Sequence, residues 1–213
     1  MGGTLVALAD PHNADPIWSP NRYPGAATDC RYLVIHTQQG NGTARSLAGY
    51  CAQASSQVSY HDAVDERELI QMVRYVDAPW AAANANTVAE HLCFGGSFAE
   101  WTAAQWLDPD KDTDGRNQDL MLWRGALWVA WRAEINELPI RRVTDGTPPR
   151  SRGVCGHGDL GMWGGGHTDP GPEFPWPIFL DRAVHLSKGG AVGAAVTGED
   201  WDTVLAEFVG RGK

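Results

Sequence analysis

A short apolar run near the start of the chain constrains the fold more than any other feature. It reads Arg31-Tyr-Leu-Val-Ile-His36 and is dense in β-branched and aromatic residues, which are typical of a buried strand. The next residues, 37–41, are polar and contain glycine, so the strand is expected to end at His36. The sequence thus predicts a buried strand with a histidine at its carboxyl end.

The rest of the chain alternates predicted strands with predicted helices. Further strands are expected at residues 58–64, 68–73, 87–94 and 140–143. Helices are expected at residues 43–54, from a Ser97 cap to residue 107, and at 117–137, 174–186 and 200–209. This alternation predicts an α/β domain with a mixed central β-sheet flanked by helices. Within the 213 residues we expect an N-terminal arm (1–28), one main domain (29–190) and a short helical tail (191–213).

Charge and hydropathy exclude several classes of protein. The net charge is −9 and no Lys/Arg cluster is present, so neither nucleic acid nor an anionic membrane is an expected partner. No apolar run approaches the roughly 20 residues of a membrane span. Residues 1–15 lack the pattern of a secretion signal, so synthesis in the cytoplasm is expected.

The cysteines and tryptophans say less. Cys30, Cys51, Cys93 and Cys155 form no CxxC pair and are expected to be buried thiols, although a disulfide of unspecified pairing stays open. Some of the ten tryptophans must belong to the core, and a groove for carbohydrate or peptide is a usual place for the others.

A glycine-rich segment at residues 153–171 carries the strongest functional signal. We expect a long loop, and it is crowded with four side chains that bind metals, namely His157, Asp159, His167 and Asp169. Catalytic zinc sites commonly use three protein ligands and leave a fourth position for water. His36 at a strand end, joined by two groups from this loop, would form such a site.

Four sequence blocks resemble one known family. They are Val34-Ile-His-Thr37, Val58-Ser-Tyr-His61, the region of Trp80, and Gly156-His157 with Thr168-Asp-Pro-Gly-Pro-Glu-Phe-Pro-Trp176. Together they resemble the zinc-dependent N-acetylmuramoyl-L-alanine amidases of the type-2 amidase and peptidoglycan-recognition-protein family, over roughly residues 32–186. Cys93-Phe-Gly-Gly-Ser97 and Gln105-Trp-Leu107 are similar to the version found in endolysins of phages that infect actinobacteria.

The resemblance implies a ligand set and two neighbouring groups. His36, His157 and Asp169 would bind one zinc ion, and Tyr60 matches a tyrosine that relatives place beside it. His167 lies two residues before Asp169, where relatives often have lysine, and is expected to act as a hydrogen-bond donor to the developing oxyanion.

The substrate groove and the general base are less clear in this sequence. Relatives often have Trp-His at the groove, whereas this chain has Trp80-Ala81. Where relatives place a catalytic glutamate on a strand, Thr87-Val-Ala-Glu-His-Leu92 puts His91 in ungapped register, with Glu90 on the opposite face. A one-residue bulge would bring Glu90 into the site instead. Both remain candidates for the base, with a slight preference for Glu90.

Of the other histidines, His12, His61 and His185 have no such context, and His12 and His185 are expected at the solvent or the edge of the core. Asp159 is a candidate for orienting a ligand imidazole.

The function implied is hydrolysis of the amide between N-acetylmuramic acid and L-alanine in peptidoglycan, with zinc activating water and polarising the carbonyl. We expect a monomeric phage endolysin that is made in the host cytoplasm and reaches the wall once the membrane is permeabilised. The alternatives are a non-catalytic peptidoglycan-binding module, a zinc peptidase acting on the stem peptide, and a structural zinc domain.

Overall fold

A computed structural model describes residues 8–109 and 114–190. The strands are β1 (Arg22–Tyr23), β2 (Tyr32–Thr37), β3 (Asp62–Val64), β4 (Leu69–Gln71), β5 (Ala78–Pro79), β6 (Ala89–Phe94) and β7 (Gly153–Gly156). The α-helices are α1 (Ala44–Cys51), α2 (Ala103–Trp106), α3 (Gln118–Ile135) and α4 (Trp176–Ser187), and short 3-10 turns lie at Ala54–Ser56, Ala83–Ala85 and His157–Gly164. The helix expected at 200–209 lies outside the described residues.

Five strands form the central sheet in the order β4-β3-β6-β2-β7. The β3–β6, β6–β2 and β2–β7 pairs are parallel, and only β4 runs antiparallel to its neighbour. Strands β1 and β5 pair separately. The prediction of a mixed central sheet flanked by helices is therefore confirmed.

Side-chain alternation divides the sheet into two faces. Leu33 and Ile35 of β2 belong to the large core built with α3 and α4. Val34 and His36 point to the other face, over which α1 and the His157–Gly164 turn lie. Because α3 lies between the sheet and α4, it is buried almost all round, including its charged residues Asp119, Arg124 and Arg132.

Three local predictions differ from the structure. Residues 153–156 form the edge strand β7 and not a loop, because their backbone pairs with β2. The strand expected at 140–143 is reduced to a single bridge from Arg142 to Val154. Helix α2 is capped by Thr102, whereas Ser97 is buried and donates its hydroxyl to the Phe94 carbonyl at 2.6 Å.

The described part of the N-terminal arm packs along the sheet edge. The backbone N–H groups of Ile17 and Ser19 donate to the carbonyls of Gln71 and Met72 at 3.0 and 2.9 Å. All four cysteines are buried free thiols, as expected. None of the helices in the described ranges is long and apolar enough to cross a membrane.

Candidate metal centre

Two parallel strands bring the predicted histidine ligands together. Ile35 of β2 lies opposite Gly156 of β7, so His36 and His157 leave neighbouring carboxyl ends of the sheet. The chain then returns through the glycine-rich loop, where the carbonyl of Asp169 accepts a hydrogen bond from the Gly158 N–H at 2.9 Å. This contact holds Asp169 beside the two histidines.

The three side chains form a compact, buried group. His36 Nδ1 lies 3.1 Å from Asp169 Oδ2, and His157 Nδ1 lies 3.2 Å from Asp169 Oδ1. One ligand atom from each residue falls within 4.8 Å of the others. Tetrahedral zinc ligands at the usual bond lengths are about 3.3 Å apart, so the spacing fits a metal ion with little movement. The exposed fractions are 1% for His36, 3% for His157 and 9% for Asp169, so the three side chains are buried and do not form a surface cluster.

The outer nitrogens of both histidines have partners of their own. His157 Nε2 lies 2.8 Å from the Gly164 carbonyl, and His36 Nε2 lies 3.0 Å from His91 Nδ1. Metal-bound histidines usually donate their second N–H in this way, which fixes the ring and leaves Nδ1 free for the metal. The donor set therefore could hold a metal ion.

Asp159 does not orient a ligand imidazole, the role for which it was a candidate. Its Oδ2 accepts the Gly156 N–H at 2.8 Å and its Oδ1 accepts from Arg142 Nη2 at 3.1 Å. The carboxylate thus stabilises the start of the turn that begins at His157. The Gly164 carbonyl holds the imidazole instead.

The protonation states suit metal binding. Burial lowers the pKa of His36 to about 4, although Asp169 opposes this shift. Burial alone would raise the pKa of Asp169, but its close contacts with His157 and His36 hold it well below its usual range. Near neutral pH His36 is therefore an uncharged imidazole and Asp169 a carboxylate, which are the forms that bind metal ions.

Two of the other predicted residues flank the group. The Tyr60 ring lies 4.9 Å from the His36 ring, and burial raises the pKa of Tyr60 well above its usual value, so it stays an O–H donor. The exposed His167 ring stacks on His157 with the centroids 4.6 Å apart and the planes 18° from parallel. Each ring thus lies against one of the two histidine ligands.

Glu90, the slightly preferred candidate for the base, does not reach the site. It faces α3, where Arg132 Nε and Nη2 each donate to its carboxylate at 2.6 Å. Strand β6 pairs without a bulge, so the ungapped register holds. His91 does share the face of His36, but it contacts Nε2 of that ring. The two nitrogens of an imidazole diverge, so His91 lies behind His36 and away from Asp169.

Trp80 lies outside the metal group. Its ring packs against that of Tyr23 in the arm, with the ring centroids 5.6 Å apart, and its backbone N–H donates to Ser59 Oγ at 3.0 Å. A contact with substrate stays a prediction for this residue.

The other three histidines differ from one another. His12 is more deeply engaged than expected, because it bridges Asp10 and Asp62 with both ring nitrogens at 2.6 Å. His61 is buried beside His91, and His185 is exposed on α4. Sequence reasoning missed the contact between His36 and His91, although strand alternation had placed His91 on the correct face.

Comparison with known protein families places the chain in one of them. A sequence model described as N-acetylmuramoyl-L-alanine amidase matches residues 26–172, which is most of the chain and includes all three metal-capable residues. The chain belongs to this amidase family. Among curated proteins, no significant sequence match was found.

Solved structures support the same fold at low sequence identity. The Staphylococcus aureus hydrolase AmiA, solved with its ligand, aligns with a TM-score of 0.62 at 12% identity over 86% of this chain and 87% of AmiA. A mutant endolysin from Bacillus subtilis aligns with a TM-score of 0.55 at 15% identity, over 80% of this chain and 98% of the endolysin. The N-acetylmuramoyl-L-alanine amidase LysC from Clostridium intestinale aligns with a TM-score of 0.53 at 12% identity, over 78% of this chain and 91% of LysC.

Proposed function

We propose that the protein is a zinc-dependent hydrolase that cleaves the amide between N-acetylmuramic acid and L-alanine in peptidoglycan. One observation carries the proposal: two buried imidazole nitrogens face one carboxylate, inside the segment that matches the amidase family. His36, His157 and Asp169 would be the ligands. Two histidines and one carboxylate suit zinc, and three protein ligands leave one position open to water.

A zinc ion held there would supply an acidified water and a polarised carbonyl, which an unactivated amide requires. The protein's part is to hold the ligands and to stabilise the charge that develops on the carbonyl oxygen. Asp169 Oδ2 also lies 3.4 Å from the Thr37 N–H, which helps to fix the carboxylate.

Tyr60 and His167 are the proposed hydrogen-bond donors. Each lies against a different ligand ring, Tyr60 beside His36 and His167 on His157, so both are near enough to the ligands to serve as donors. Donors aimed at developing charge in a site that excludes water lower the barrier more than the same groups in solution. Trp80 remains the proposed substrate contact at the groove.

We further propose that the protein is a monomeric endolysin, made in the cytoplasm of an infected host and active on the wall once the membrane is permeabilised. Similarity in fold to a protein named as an endolysin supports this. If it is right, expression in a susceptible host causes lysis only after a permeabilising agent is added. Spontaneous lysis without one would contradict it.

Product analysis tests the reaction itself. Digestion of purified wall should release new L-alanine amino termini and free lactyl carboxylates in equal amounts. A chelator should abolish this release, and added zinc should restore it. New amino termini inside the stem peptide would instead indicate a peptidase. Binding to wall without any new termini would indicate a non-catalytic module.

A further inference from the structure

His91 is a buried titratable residue to which the proposed reaction gives no task. It is 0% exposed and lies on β6, the parallel neighbour of β2. Val34 pairs with His91 and His36 pairs with Cys93, so His91 and His36 are diagonal neighbours on one face of the sheet. The His91 ring therefore contacts Nε2 of His36, on the side of that ring away from Asp169.

The position of His91 is fixed from behind by His61. The His91 backbone N–H donates to His61 Nδ1 at 3.1 Å, so the ring proton of His61 must lie on Nε2, which faces the Asp77 carbonyl at 3.2 Å. The two rings are nearly parallel, 9° apart in plane with centroids 5.9 Å apart. On its other side His61 stacks on Tyr75, at 5.2 Å and 16°. This column leaves the His91 ring little freedom to rotate.

The hydrogen-bond pattern then assigns a role to each nitrogen of His91. If His36 gives the Nδ1 lone pair to a metal ion, its ring proton lies on Nε2 and needs an acceptor. His91 Nδ1, at 3.0 Å, is the acceptor that the structure provides. A neutral imidazole carries one donor and one acceptor, so the proton of His91 lies on Nε2. That atom is buried and makes no well-formed hydrogen bond among the described residues. The Ala85 carbonyl also interacts with the His91 ring.

We propose that His91 is a positioning residue for the metal ligand His36. It accepts the Nε2–H of His36 and so holds the imidazole with Nδ1 turned toward Asp169 and the metal. The inference rests on the proposed function, because it requires His36 to be a ligand. It gives His91 a task other than that of general base.

Nuclear magnetic resonance of the zinc-loaded wild-type protein tests the hydrogen bond directly. With ¹⁵N-labelled histidine, we expect a scalar coupling across the hydrogen bond between His36 Nε2 and His91 Nδ1. We also expect a slowly exchanging Nε2 proton on His36. A zinc-loaded protein that lacks the coupling would overturn the inference and leave the proposed function intact. A wild-type protein that binds no zinc would overturn both.

Two substitutions separate the acceptor from the volume of the side chain. His91→Leu removes the acceptor, and partners of this kind typically contribute 10–100-fold to metal affinity, so zinc affinity should fall by about that factor. In His91→Asn a side-chain oxygen comes near the position of Nδ1, and most of the affinity should return.

A chelator competition measures both affinities, and His185→Leu on exposed α4 serves as the control that should bind zinc like the wild type. Wild-type affinity in a folded His91→Leu, or equal losses in both His91 variants, would overturn the proposal. If His91→Leu does not fold, the coupling and the His91→Asn affinity decide the question.

Discussion

Within residues 8–109 and 114–190, two groups of histidine and carboxylate are built in opposite ways. In the metal centre, two imidazoles face one carboxylate, that of Asp169. In a second group, which we call the arm clasp, one imidazole lies between two carboxylates: His12 contacts Asp10 and Asp62. The clasp joins the N-terminal arm to β3.

Burial and the number of neighbouring carboxylates together decide the charge of each ring. Burial lowers the pKa of His12, but the hydrogen bonds and charges of Asp62 and Asp10 outweigh it and raise the pKa to about 9. Burial prevails at His36, where one carboxylate is shared, and the pKa is about 4. His12 is therefore a cation in an ion pair, whereas His36 keeps a lone pair for a metal. Proximity of histidine and aspartate is thus not enough to identify a metal site.

The largest effect should come from removing a ligand. Purified wild-type protein should contain about one zinc per chain, and His36→Ala or His157→Ala should lose the zinc and reduce wall hydrolysis to background. Elemental analysis and a wall-turbidity assay measure both. His12→Ala is the matched control, because the clasp should hold no metal and its loss should leave zinc content unchanged. Full zinc in both ligand variants would remove the proposed assignment.

Breaking the Glu90–Arg132 pair should have the next largest effect, on stability rather than on chemistry. Both side chains are 6% exposed, so Arg132→Met leaves a buried carboxylate without its partner. Losses of about 3–5 kcal/mol in the free energy of unfolding are typical of such changes. Urea denaturation measures the loss. Glu90→Gln, assayed where it is folded, should keep its zinc and most of its turnover. A stable Glu90→Gln that has lost turnover would restore Glu90 as the base.

His167→Ala should keep its zinc and fold but turn over more slowly. The ring borders the metal centre without contributing a ligand atom to it, so its loss removes one donor to the developing oxyanion. Such a loss typically costs ~10²–10³ in turnover, or about 2.7–4 kcal/mol. His167→Lys should recover part of the rate, because lysine also donates. Zinc lost in proportion to activity would show that His167 is a ligand, and a normal rate would make it a bystander.

The sequence predicted those parts of the protein that depend on local pattern. The apolar run ending at His36 forms β2, and the helix expected at 117–137 is α3, capped by Asn117. The alternation of side chains in β6 correctly put His91 and Glu90 on opposite faces.

Contacts between distant segments were beyond such patterns. Glu90 was preferred as a base on chemical grounds, because nothing local indicates that Arg132, 42 residues further on, neutralises it. Residues 153–156 were expected to form a loop because two of the four are glycines, which are typical of loops. Their pairing with β2, a distant segment, makes them strand β7. His12 lies at the edge of the core as expected, but its ion pair was not predicted because its partner Asp62 is 50 residues away. In each case the deciding partner comes from another element of the fold.

The arm clasp makes the last prediction, which concerns pH. The pKa of His12 is about 6.5 in the unfolded chain and about 9 in the folded protein. The folded state therefore binds the proton more tightly, and the clasp stabilises the protein fully below pH 6.5 and loses its contribution as the pH rises through 9. A difference of this size corresponds to on the order of 3 kcal/mol as an upper value for the free energy of unfolding. Asp62 is the anchor, because Tyr75 and Trp128 also donate to it, at 2.6 and 2.8 Å.

His12→Gln keeps a hydrogen-bonding side chain but removes the charge. Urea denaturation of both metal-free proteins at pH 6, 7.5 and 9.5 isolates the clasp, because every other titrating group is common to the two chains. The wild type should be more stable than the variant at pH 6, and the gap should shrink between pH 7.5 and 9.5. A gap that stays constant across this range would mean that His12 stabilises the arm by packing, including its edge contact with Trp131 at 5.5 Å, and not by charge. The two histidine groups would then differ in geometry alone, because the clasp would no longer depend on a protonated imidazole.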